Sequence, residues 1–117
     1  MDIRSLLGLI AGVITWADIE QYGAAIVREF RPKKIILFGS YAYGRPTRDS
    51  DVDLMVIMRH RKGSRPSLKI RRRIRAGFPV DILVRAPGEV ARRLHQGDSF
   101  IKEIISKGRV LYVPGHS

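Results

Sequence analysis

Two apolar strands, joined through a glycine-serine turn and a pair of carboxylates, constrain this chain more than any other feature. The run Ile35-Ile36-Leu37-Phe38 ends in Gly39-Ser40; after ten intervening residues Asp51-Val52-Asp53 opens Leu54-Met55-Val56-Ile57-Met58. Side chains two apart on a strand share a face, so Asp51 and Asp53 converge on one small volume. Like charges that close repel, which calls for a cation between them. Magnesium suits the pair, because it takes oxygen ligands from one or two carboxylates together with substrate phosphates. Gly39 lets backbone N–H groups approach an anion closely, and the Ser40 hydroxyl adds a donor. The two halves describe a site for a metal-bound nucleoside triphosphate.

The surrounding pattern supplies a scaffold. Thr15 or Asp18 caps a helix running to about Phe30, with Ile19, Tyr22, Ile26, Val27 and Phe30 at helical spacing, and Pro32 stops it. Residues 34–38 read as a strand buried on both faces. A short helix is expected after Gly39-Ser40, ending near Gly44, then a turn-rich loop over 45–50. The second strand spans 51–58, with Val52, Leu54, Val56 and Met58 facing the core opposite the aspartates. Ser67 is expected to cap a short helix carrying Leu68, Ile70 and Ile74, and a third strand is expected over 78–85. Pro87 starts a helix to about His95, and Gly97-Asp98-Ser99 starts another with Phe100, Ile101, Ile104 and Ile105 as its apolar stripe. Gly108 ends that helix before a last strand over 110–113.

Asp81 interrupts the apolar run Val80-Asp81-Ile82-Leu83-Val84. A lone acid in a strand is costly to bury without a partner and usually faces solvent. If its strand lies beside the Asp51–Asp53 strand, Asp81 instead completes a three-carboxylate site. Such a site suits two-metal phosphoryl transfer. Asp-x-Asp alone is common in acidic turns. The joint occurrence of strand, Gly-Ser, fixed gap, paired aspartates, strand and later aspartate is what makes the pattern specific.

The chain carries 22 Lys and Arg against 11 Asp and Glu, a net charge of +11. That predicts attraction to nucleotides, RNA or an acidic partner. Residues 59–75 concentrate the excess, with nine Lys or Arg in seventeen residues, no acid and no aromatic residue. One reading is a solvated face; the other is a landing strip for RNA or an acidic partner, without base stacking. Charge reversal at Arg71, Arg72 and Arg73 is then expected to weaken association more at low salt than at high salt.

With no cysteine, disulfides and thiolate zinc sites are excluded, and His60, His95 and His116 form no ligand cluster. The length suits a single domain over 1–117. Residues 1–14 include an apolar run much shorter than the roughly 20 residues of a membrane span, and no cleavage site follows it. The expectation is a cytoplasmic protein without membrane contact, with residues 1–14 packing on the core or serving association, including oligomerisation.

Gly39-Ser40, the ten-residue gap and Asp51-Val52-Asp53 resemble the signature of the DNA polymerase β-like nucleotidyltransferases. More closely, the chain resembles the minimal nucleotidyltransferases, or MNT proteins, over roughly residues 19–113. The resemblance implies an α/β (α+β) fold of the polymerase-palm type, a small mixed β-sheet with helices packed on one side. It implies Asp51 and Asp53 as ligands of two Mg2+ ions, Asp81 as the third carboxylate, and Gly39 and Ser40 as triphosphate contacts. Many relatives carry arginine where Tyr43 stands, a place that Arg45 or Arg48 is expected to fill at the nucleotide. The implied activity is transfer of AMP from ATP to a hydroxyl of a partner protein, a HEPN-type toxin that the chain silences as antitoxin. The competing readings are a non-catalytic antitoxin that occludes its partner, and nucleotide addition to RNA.

Overall fold

The computed structural model describes residues 14–47 and 49–114. Among the described residues four helices and four strands follow one another as α1 (Trp16–Phe30), β1 (Lys34–Phe38), β2 (Val52–Ile57), α2 (Pro66–Arg73), β3 (Val80–Arg85), α3 (Pro87–His95), α4 (Ser99–Lys107) and β4 (Arg109–Tyr112). The strands form one sheet in the order β3-β2-β1-β4. β1 runs antiparallel to both β2 and β4, whereas β2 and β3 are parallel. This is the mixed α+β architecture expected.

The helices do not lie on one side. Alternate residues of a strand face opposite ways, and here both sets are buried. Ile35 and Leu37, with Val52, Leu54 and Val56, meet Ile19, Tyr22 and Ile26 of α1 and Ile70 of α2. On the other face Ile36, Met55 and Ile57 meet Val90 of α3 and Ile101 and Ile104 of α4. Each such side chain contributes about 1.5–3 kcal/mol when fully buried, so neither cover is dispensable. The near-continuous run Val52-Asp53-Leu54-Met55-Val56-Ile57 is what a strand covered on both faces needs.

Local chemistry fixes the element ends. Thr15 accepts from the Asp18 N–H and Asp18 accepts from the Thr15 N–H, a reciprocal capping box. Arg31 closes α1 in the left-handed region at φ 47°. Asp98 caps α4 by accepting from the Ile101 N–H at 3.0 Å. Three expectations differ. α2 starts at Pro66, one residue after Arg65 at φ 52°, so Ser67 lies inside it and is not its cap. Phe100 and Ile105 are exposed, leaving Ile101 and Ile104 as the buried stripe of α4. No helix follows Gly39-Ser40; the chain makes one turn instead.

Ile14 packs on the core of the α1 face; the rest of the apolar segment 1–14 lies outside the described residues, as do Arg48 and His116. Among the described residues no helix is long and apolar enough to cross a membrane.

Candidate active site

Register brings the chosen residues to one end of the sheet. Phe38, the last residue of β1, pairs with Asp53, and Asp53 pairs with Asp81 across the parallel β2–β3 ladder. The condition set by the sequence, that the strand of Asp81 neighbour the strand of Asp53, is therefore met. Asp53 and Asp81 share a face of the sheet, and Asp51 lies just before β2.

Gly39 occupies the step from β1 into the turn at φ 75°, where a side chain is strained. A second constraint is space: a Cβ at Gly39 would collide with Oδ2 of Asp53. Backbone and carboxylate thus approach as closely as only glycine allows. The turn is held by Ala42 and Tyr43 N–H groups donating to the Gly39 carbonyl, and by Arg45 N–H donating to the Ser40 carbonyl. Ser40 and Tyr41 N–H have no partner among the described residues, so two donors at the sheet end are available to an anion.

Asp51 is set by a small knot in front of it. Ser50 N–H donates to the Thr47 carbonyl at 3.1 Å, and Thr47 N–H donates to Ser50 Oγ at 2.8 Å. Burial, and then the charges of Asp81 and Asp51, hold the Asp53 carboxyl above the usual carboxylate value. Asp53 therefore feels both neighbouring carboxylates, which is the electrostatic signature of a place that favours a cation. Tyr41 stands beside them, its hydroxyl pushed up by burial and by the charge of Asp51.

The trio is not closed. Among the described residues no group of three acids or histidines is gathered tightly enough to hold a metal ion. Asp81 turns outward, 71% exposed, and its Oδ1 lies 3.3 Å from Nη2 of Arg71. A cation is thus already paired with the third carboxylate. The donor set itself is all carboxylate oxygen, the chemistry that Mg2+ takes, and closing the trio needs Asp81 to exchange Arg71 for the ion. Arg45 is exposed beyond the turn and makes no ion pair among the described residues. Sequence reasoning missed Tyr41 and the specific place of Arg71; only the basic run gave any sign of the latter. The ring of Phe100, expected in the apolar stripe of its helix, packs edge-on against Phe38 at 5.8 Å.

A Methanocaldococcus jannaschii protein, provisionally named a protein adenylyltransferase, is 29% identical over 96 residues, covering 80% of this chain and 94% of that one. The crystal structure of a Sulfolobus solfataricus protein, provisionally described as a nucleotidyltransferase, superposes with a TM-score of 0.58 at 19% identity. It covers 84% of this chain and 79% of that one, and shows the shared fold. Residues 19–112 match the family model of the nucleotidyltransferase domain. That span holds the glycine-serine turn, all three aspartates and every strand, and the chain belongs to the nucleotidyltransferase domain family.

Proposed function

We propose that the chain transfers AMP from ATP to a hydroxyl of a partner protein, in a magnesium-dependent reaction at Asp51, Asp53 and Asp81. The observation that carries this reading is the register Phe38–Asp53–Asp81, which sets three carboxylates and the Gly39-Ser40 turn at one end of the sheet. A protein acceptor is supported by the name of the Methanocaldococcus jannaschii relative.

Asp51 and Asp53 would hold Mg2+, joined by Asp81 once it leaves Arg71. When bound, the metal supplies positive charge against the triphosphate and lowers the cost of charge developing there. The residues of the chain do the rest. Ser40 and Tyr41 N–H groups and the Ser40 hydroxyl orient phosphate oxygens, and Arg45 and Arg48 add positive charge from the following loop. The acceptor hydroxyl oxygen forms a bond to the α-phosphorus as the bond from that phosphorus to the β-phosphate oxygen breaks. Pyrophosphate leaves, and the hydroxyl proton passes to the exposed Asp81 carboxylate.

By its resemblance to the minimal nucleotidyltransferases, the partner is a HEPN-type toxin and the chain its antitoxin. The test is label transfer from α-32P-ATP with Mg2+ into a lysate of the source cell. Wild type is expected to label a protein that the Asp51→Asn/Asp53→Asn variant does not. Label appearing in RNA, or equal labelling by both, would overturn the reading. Neutralisation of the partner by the double variant as effectively as by wild type would replace catalysis with occlusion.

A further inference from the structure

Beside Asp51 the surface forms a groove of about 460 Å3 that shares with the candidate nucleotide site only Asp51. Tyr22, Ile74 and Phe78 give it an apolar lining, while Arg71 and Arg75 bring positive charge and Asp51 borders it. It therefore joins the candidate metal site to the basic segment. Arg75 has no ion-pair partner among the described residues. Among the described residues Arg71 is paired only with Asp81, and both side chains of that pair are exposed. An exposed pair of this kind is worth little and exchanges readily. Two guanidinium groups along one short groove repel each other, and an anion seated there would relieve both.

We propose that this groove docks the acceptor, and that the acceptor is an acidic protein segment. A hydroxyl-bearing side chain enters along the apolar lining towards Asp51. Carboxylates flanking it in sequence pair with Arg71 and Arg75, whose planar forks match a carboxylate in bidentate fashion. As Arg71 turns to the incoming carboxylate it releases Asp81 to the metal site, so docking and completion of the carboxylate trio go together. The inference rests on the transferase reading for its purpose, and on the groove alone for its binding. Protein fits better than RNA. The two rings of the groove pack against each other at 69° with centroids 5.8 Å apart, unlike the open stacking platforms that bind bases. The segment 59–75 carries no aromatic residue either.

The test omits nucleotide, so that its outcome is independent of catalysis. A fluorescein-labelled peptide of glutamate, serine and tyrosine is titrated with the whole chain, and binding is read by anisotropy. A peptide with lysine in place of glutamate and an oligoribonucleotide of similar length are run beside it. Wild type is expected to bind the acidic peptide and not the lysine peptide. Arg71→Gln/Arg75→Gln should weaken that binding about tenfold, the loss of two charge-assisted contacts at a wet surface. Lys102→Gln/Lys107→Gln removes the same charge from exposed positions of α4 and should leave binding within about twofold. Circular dichroism verifies that both variants are folded. Equal losses in the two variants would reduce the effect to diffuse attraction and overturn the proposal. So would absence of acidic-peptide binding. Tighter binding of the oligoribonucleotide, lost on changing Arg71 and Arg75, would reassign the groove to RNA. If Asp53→Asn, a change outside the groove lining, retains peptide binding but lacks transfer, the docking inference and the transferase reading are each upheld separately.

Discussion

Gly39 carries two burdens that no other residue type meets together. Its φ of 75° strains any side chain, and its missing Cβ is the space that the Asp53 carboxylate occupies. Gly39→Ala is therefore expected to lower stability by about 2 kcal/mol in chemical denaturation and to push Asp53 from its place. Asp53 makes the opposite prediction. Its carboxyl is held high by burial and by Asp81 and Asp51, so the folded chain binds that proton more tightly than the unfolded chain. Its contribution is complete below the ordinary aspartate range and is lost as pH rises through the raised folded value. Asp53→Asn is expected to flatten this loss and raise the melting temperature of the metal-free protein at neutral pH, while abolishing transfer. A melting temperature that falls instead would mean Asp53 is a structural residue. At this scale the sequence was informative where a residue type admits few uses. Gly39, Asp51 and Asp53 stood out because glycine before a paired carboxylate has little structural purpose. The pairing of Asp81 with Arg71 did not, because a contact ten residues apart between a strand and a helix depends on how they pack.

Elements were legible where their ends are written in local chemistry. α1 begins at a capping box and ends just before Pro32, and both marks are visible in Thr15-Trp16-Ala17-Asp18 and Arg31-Pro32. Thr15→Ala should cost about 1 kcal/mol, measured by thermal or urea unfolding. An unchanged midpoint would show that packing of Ile19, Tyr22 and Ile26 alone holds the helix. The misreadings have physical causes too. Helical periodicity located the stripe of α4 but cannot set its edges, and so Phe100 and Ile105 fell just outside the buried arc. In place of the helix expected after Gly39-Ser40 the chain makes one turn, closed where Gly44 takes φ 74° and Pro46 stands two residues on. The one-sided sheet was a misreading of β2, whose Met55 and Ile57 already required a second cover.

At the scale of the whole molecule, charge and topology act on different things. Topology puts the start of β2 and β3 beside the end of β1, which brings Asp53, Asp81 and the Gly39-Ser40 turn to one end of the sheet. Charge does not shape the sheet, but +11 on 117 residues repels itself and draws in anions. Raising sodium chloride from about 0.05 M to about 0.3 M is therefore expected to raise the melting temperature, since screening shortens to a few ångströms. A fall would mean that ion pairs such as Arg93–Glu89 and Arg93–Asp98 outweigh the repulsion.

The proposed transfer depends on Asp51, Asp53 and the Gly39-Ser40 turn forming one site for a magnesium-bound nucleotide. Isothermal titration with α,β-methylene-ATP tests it without needing an acceptor. Saturable binding that requires Mg2+ and weakens at least about tenfold in Asp51→Asn/Asp53→Asn, through the loss of charge-assisted ligands, is expected. Binding of equal strength in wild type and variant, or binding indifferent to Mg2+, would contradict it.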